Sequence, residues 1–225
     1  MSREDLKIEG IVVKALDYEE HKRIFVLFTE TGFLHLITKL KNQQPHRRLL
    51  SSVLSKGEFC YKDSTSSLKT ILDGTLVSTY LNYSQSYAHL EAASLHIEVV
   101  LRSQLEDKPA PLLYKLLSFH LEKLKQFEDP YLLSSSFMLK ALAHEALFNY
   151  FSLCPECHQN PAHYFDQYHL VCQDCAKHPS LMFDSSEHLF LCILLNAKHL
   201  SELQKMKCSL EFHKKVKKMF DLIAG

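Results

Sequence analysis

Glycine is scarce in this chain. Its 225 residues hold five, at positions 10, 32, 57, 74 and 225, about 2% against a usual ~7%. No two lie closer than 17 residues, so neither a Walker loop nor a GxGxxG dinucleotide turn can be built. Long apolar runs are missing as well, and none approaches the ~20 residues of a membrane span. Met1 to Asp5 carries charges of both signs with no apolar stretch behind them, which does not read as a signal peptide. An excess of one charge is also lacking: 26 Lys and Arg balance 26 Asp and Glu, so net charge names no partner. What remains is an ordinary globular composition, 46% hydrophobic and 23% charged, and not a disordered one. The expectation is a soluble cytoplasmic protein with no membrane contact and no small-molecule substrate. Its seven cysteines are then reduced, which favours metal ligation over disulfides.

The glycines divide the chain, since four of the five precede residue 75. Segments Leu6 to Lys14, Lys22 to Thr29, Phe33 to Leu40, Lys56 to Lys62 and Leu68 to Thr79 are rich in Ile, Val, Leu and Phe. Turn chemistry separates them, so they read as strands. Gly10 inside the first permits a bulge that bends the strand, and five short coiled strands point to an OB-fold barrel. From about residue 84 the apolar period changes to that of a helix. Leu90, Ala93, Ile97, Val100 and Leu101 make one stripe, and Leu113, Leu117, Leu121 and Leu124 another. Asp129-Pro130 starts a further helix as N-cap and first helical residue, with a predicted end near Phe151. Helices resume over Ser185 to Ala197 and Ser209 to Ile223. The fold class expected is α+β: an OB-fold domain over 1–80, then an all-α domain over 81–225 with an insert at about 152–183.

That insert carries the strongest motif. Cys154-Pro155-Glu156-Cys157 and Cys172-Gln173-Asp174-Cys175 are two Cys-x-x-Cys knuckles separated by fourteen residues. Each knuckle can place two thiolates on one ion, so Cys154, Cys157, Cys172 and Cys175 predict a tetrahedral Zn2+ site. Four thiolates leave no open position for water, which makes the ion structural. His158, His163, His169 and His178 surround the insert but are not needed as ligands. Cys60, Cys192 and Cys208 stand alone and receive no role. A zinc deaminase needs His-x-Glu with Pro-Cys-x-x-Cys. His96-Ile97-Glu98 supplies the first half, but Leu153 and Val171 precede the knuckles where proline is required. No Gly-x-Ser-x-Gly or catalytic cysteine signature is present, so nothing marks an enzyme.

Charge is unevenly placed. Thr31 to Gly57 contains no acid, yet carries Lys39, Lys41, Arg47, Arg48 and Lys56 with His35 and His46. An acid-free basic loop beside barrel strands suits a phosphate backbone. Tyr18, Phe25 and Phe33 stand near enough to stack on bases, although core packing is the ordinary role of each. A second basic run closes the chain, with Lys205, Lys207, Lys214, Lys215, Lys217 and Lys218 around Phe212, Val216, Met219, Phe220 and Ile223. It reads either as a docked helix with solvated lysines or as a surface for DNA or an acidic peptide.

Glu9-Gly10-Ile11-Val12-Val13-Lys14, then Asp17-Tyr18, then Arg23-Ile24 through Phe28-Thr29 to Gly32-Phe33-Leu34, resembles the opening of the RecO family of bacterial DNA repair proteins. The basic loop follows, from Thr38-Lys39-Leu40-Lys41 to Arg47-Arg48-Leu49, with Leu40-Lys41-Asn42 where the family has a glycine. The two knuckles after a long helix match the family's C-terminal domain, so the likeness spans essentially the whole chain. The resemblance implies a non-enzymatic recombination mediator, nucleoid-associated in a bacterial cytoplasm. Such proteins bind single- and double-stranded DNA, anneal complementary strands, and act with RecR to load RecA on DNA coated by single-strand binding protein. They also bind that coating protein's acidic C-terminal tail through the helical domain. The DNA contacts carried over are Arg23, Lys39, Arg47 and Arg48, with Lys14 and Lys41. The rival expectation is a protein-interaction adaptor that uses an OB-like barrel and a zinc module without touching DNA.

Overall fold

A computed structural model describes residues 5–40, 45–80 and 86–225. Five strands close into a barrel: β1 (Asp5–Tyr18), β2 (Lys22–Thr29), β3 (Gly32–Lys39), β4 (Ser55–Lys62) and β5 (Leu68–Thr79). Their order around the barrel is β1-β2-β3-β5-β4, the OB-fold arrangement expected from the strand pattern. β1 runs four residues beyond the expected Lys14 because it pairs with two partners. Its first half pairs with β4, Asp5 opposite Lys62 to Ile11 opposite Lys56, and its second half with β2 as far as Tyr18 opposite Lys22. The bulge lies between Val12 and Lys14, just after Gly10. At Gly10 itself β2 comes close, and an added Cβ would stand 3.1 Å from Thr29 Cγ2 and 3.2 Å from the Phe28 carbonyl oxygen.

The barrel interior is Val12, Phe25, Leu27, Leu36 and Phe59, closed at one end by Leu50. Leu50 belongs to α1 (Pro45–Leu50), a short helix inside the segment read as a basic loop. The outer surface near Phe28 is covered by α3 (Pro111–Leu124). Tyr114 of α3 meets Phe28 edge-on at 6.1 Å between ring centres and donates its hydroxyl to Glu9 at 2.8 Å. By compactness the chain forms two units, residues 1–93 with 104–122, and 94–103 with 123–225. The helix α2 (Tyr87–Ser103) contributes to both.

The second unit is helical around α4 (Pro130–His144), which starts where the Asp-Pro signal places it: Asp129 Oδ1 accepts from the Leu132 amide at 3.0 Å. It stops seven residues short of the expected end. Ala146 adopts a left-handed φ of 56°, the Ala146 amide donates to Ala143 O at 3.1 Å, and the Leu147 amide donates to Leu142 O at 2.9 Å. This is a Schellman cap built without glycine. Then come β6 (Tyr164–Asp166), β7 (His169–Val171) and β8 (Pro179–Met182), a small sheet of order β7-β6-β8 within the insert. α5 (Ser185–Asn196) begins with a capping box between Asp184 and Glu187. α6 (Leu210–Ala224) buries Phe212, Val216, Met219 and Phe220. Among the described residues no helix is long and apolar enough to cross a membrane.

Candidate nucleic-acid interface and metal centre

The thiolates are brought together. The Sγ atoms of Cys154, Cys157, Cys172 and Cys175 all lie within 4.8 Å of one another, and Cys157 and Cys172 are 3.7 Å apart. Zinc–sulfur bonds of ~2.3 Å at tetrahedral angles separate sulfurs by about 3.8 Å, so the spacing fits such an ion. Each knuckle is a tight turn. The His158 amide donates to Cys154 O at 2.8 Å in one, and the Ala176 amide to Cys172 O at 3.0 Å in the other. Burial raises the Cys154 thiol, but amide hydrogen bonds from Cys172, Cys157 and Glu156 outweigh it and bring it down to about 6. The amides of Asn160 and Gln159 likewise lower Cys157. Cys175 goes the other way, pushed up to about 12 chiefly by its hydrogen bond with Cys172, so without an ion the cluster shares protons that a metal would displace. Asp166, which the sequence did not single out, steadies the second knuckle: its Oδ2 accepts from the amides of Lys177 at 2.7 Å and His178 at 3.0 Å. Two of the surrounding histidines have other partners, with His163 Nδ1 3.1 Å from Phe183 O and His169 3.5 Å from Glu156. His96 of the deaminase-like triplet is buried, its ring 4.4 Å from that of Phe137.

The DNA-contact candidates fall on two neighbouring surfaces of the barrel. At the mouth, α1 lies across the opening with an arginine reaching to either side. Arg47 Nη2 donates to Leu72 O on β5 at 3.3 Å, and Arg48 Nη2 stands 3.6 Å from Asp17 on β1. Asp17 also faces Arg23 Nε at 3.6 Å, and Arg23, only 15% exposed, is the least available of the set. On the outer face, Lys39 stands opposite Lys22 across β2 and β3, and Lys14 is exposed on β1 after the bulge. Lys41 lies outside the described residues. Lys22 is the cation sequence reasoning missed, because only the strand register reveals its neighbour. Of the aromatics, Phe25 is buried and Phe33 packs on Phe28 at 5.3 Å, whereas Tyr18 departs from the expected core role and is 44% exposed. On α6, Lys214, Lys217 and Lys218 are exposed, while Lys215 binds Glu187 of α5 at 2.7 Å.

A closed OB barrel joined to a helical unit with a four-thiolate knuckle defines a barrel-and-knuckle protein, with a basic barrel surface and a metal-capable centre of four cysteines. Residues 84–223 match the family model described as recombination protein O, C terminal. The DNA repair protein RecO of Chlamydia muridarum is 26% identical over 210 residues, covering 91% of this chain and 88% of that protein. That of Chlamydia pneumoniae is 24% identical over 200 residues, 87% of this chain and 79% of the relative. The Bacillus cereus (strain B4264) protein of the same name is 28% identical over 156 residues, 68% and 62% respectively. The chain belongs to the RecO family of DNA repair proteins.

Proposed function

We propose that the chain is a non-enzymatic recombination mediator. It binds single- and double-stranded DNA through the barrel domain, residues 1–80, and anneals complementary strands. With RecR it helps load RecA onto DNA coated by single-strand binding protein. The helical domain, residues 81–225, takes the acidic C-terminal tail of that coating protein. Cys154, Cys157, Cys172 and Cys175 hold one structural Zn2+, which fastens the insert and offers no site for chemistry because all four positions are filled by thiolates. The protein works in the bacterial cytoplasm on the nucleoid.

The observation that best supports DNA binding is the course of the acid-free segment. It leaves β3 with Lys39 on the outer face and returns through α1 with Arg47 and Arg48 at the mouth. Cations of one segment thus ring one end of the barrel. Phosphate contacts of this kind bind without reading sequence and weaken with salt. Titrating a labelled single-stranded oligonucleotide at low and near-physiological salt tests this directly, with fluorescence anisotropy as the readout. The expected result is sequence-tolerant, steeply salt-dependent binding that falls on the order of tenfold in the R47E/R48E double variant. Absence of binding at low salt by folded, metal-loaded protein would favour the protein-interaction adaptor, to which the zero net charge is better suited.

A further inference from the structure

We propose that the cleft between the second knuckle and the start of α5 is a docking site for an arginine side chain of a partner protein, with Asp174 and Asp184 pairing with its guanidinium and Tyr164 stacking on it. Such a site is distinct from any DNA surface, because its two carboxylates repel phosphates.

The cleft has a volume of about 410 Å³, within the ~300–1,000 Å³ of pockets that take small groups. Of the four clustered cysteines only Cys172 borders it, so it lies beside the thiolate centre and is not part of it. One wall is the sheet of the insert, where Tyr164 of β6 stands opposite Met182 of β8 on a shared face. The next pair, Phe165 and Leu181, points to the other side, where Phe165 is buried. Two hydrogen bonds fix the floor: the Phe183 amide donates to His163 O at 2.9 Å, and His163 Nδ1 lies 3.1 Å from Phe183 O. A cleft already held in shape loses little freedom when it binds.

Two carboxylates border these apolar walls, Asp174 from the knuckle and Asp184 from the cap of α5. Asp174 Oδ2 accepts from Asn160 Nδ2 at 3.3 Å. Asp184 Oδ1 accepts from the Ser186 hydroxyl at 2.6 Å and the Glu187 amide at 2.8 Å, and these bonds hold Asp184 below the usual carboxylate range. Each acid keeps one oxygen outside these bonds. Among the described residues that line the cleft none is lysine or arginine. Lys215, which also favours the charged form of Asp184, is bound to both Glu187 oxygens at 2.8 and 2.7 Å. The cleft is thus anionic with apolar walls, and its complement is a cation with a flat apolar face. A guanidinium is such a group, since it forks to carboxylates and stacks on aromatic rings. An ammonium is a compact, strongly hydrated charge and offers no such face. The rim favours a peptide over a free amine. Met182 is 51% exposed, and Leu153, bridged to Pro161 at the edge of the cleft, is 47% exposed, so apolar neighbours of the arginine would find cover there.

Titrating full-length, metal-loaded, isotope-labelled protein with the peptide acetyl-Leu-Arg-Leu-amide tests this, with amide NMR shifts as the readout. Saturable shifts are expected at His163, Tyr164, Asp174 and Ser185. Citrulline in place of the arginine keeps the shape and removes the charge, and should weaken binding on the order of tenfold. A lysine peptide should also bind less tightly than the arginine peptide. The D174N/D184N variant should lose a similar factor. Asparagine caps a helix as well as aspartate does, so its amide spectrum away from the cleft should match wild type. Equal binding of the arginine and citrulline peptides by wild-type protein overturns the site, whatever the variant does. Stronger shifts at the cleft with spermidine than with the peptide overturn it in favour of a small polyamine, and shifts there with oligothymidylate overturn it in favour of nucleic acid. No shift at the cleft with millimolar peptide overturns it outright.

Discussion

Leu50 plugs the barrel, and two glycines make its seat. A Cβ added at Gly57 or Gly74 would stand 2.7 or 2.8 Å from the Leu50 methyls, and 2.8 or 3.0 Å from the carbonyl oxygens of Thr75 and Glu58. Leu50→Ala should lose about 2–5 kcal/mol and Gly74→Ala about 1–3 kcal/mol, measured by urea denaturation. The double variant should lose less than the sum, because removing the leucine methyls relieves much of the clash that the alanine creates. A second residue governs pH dependence. Burial first, and then the neighbouring His163, hold His188 below the ordinary histidine range. Its ring lies 4.9 Å from that of His163. The folded state keeps His188 neutral where the unfolded chain takes up a proton below about pH 6.5. Stability should thus fall as pH drops from 6.5 toward the lowered folded value, and be flat above. Urea midpoints at pH 7.5 and 5.5 should differ less in His188→Gln than in wild type.

Among the elements, the end of α4 is the clearest case of local chemistry hidden from sequence. Ala146 holds the left-handed conformation that glycine adopts without penalty. Ala146→Gly should raise stability by about 1 kcal/mol, read from the same denaturation curves, while a β-branched residue there should lower it. Leu133, Phe137, Ala141 and Phe148 fit the apolar period of one long helix, and all four are buried. Phe148 reaches the core through the cap instead. The barrel strands were legible because alternation and turn residues mark them without reference to partners. The side to which Tyr18 points was not. It depends on the bulge between Val12 and Lys14, and a one-residue shift would turn every later side chain of β1 to the opposite face. The four thiolates were legible from spacing alone, whereas Asp166 was not, since its partners are backbone amides eleven and twelve residues away.

At the scale of the molecule, the proposed ion would hold the insert in a way the barrel does not need. β6, β7 and β8 have three, three and four residues, short enough that an ion on the four cysteines would be their main cross-link. Chelation under reducing conditions should accelerate amide hydrogen exchange across 152–183 while the barrel strands keep their protection. Cys154→Ser should have the same effect without chelator. Accelerated exchange in β1–β5 on metal removal would instead make the ion a support for the entire chain.

The pairing of β1 with β4 also sets a timetable. β1 finds β2 almost at once as a nascent chain, but its first half, with Ile8 opposite Phe59 and Ile11 opposite Lys56, waits for a partner about fifty residues away. At the usual ~5–20 residues per second of translation, that delay is on the order of 3–10 s. Throughout it, the three-strand meander has an unpaired margin of backbone donors and acceptors, the kind of surface that another strand can capture. The charged residues Asp5, Lys7 and Glu9 sit along this margin, and charge on a waiting edge discourages capture until β4 arrives.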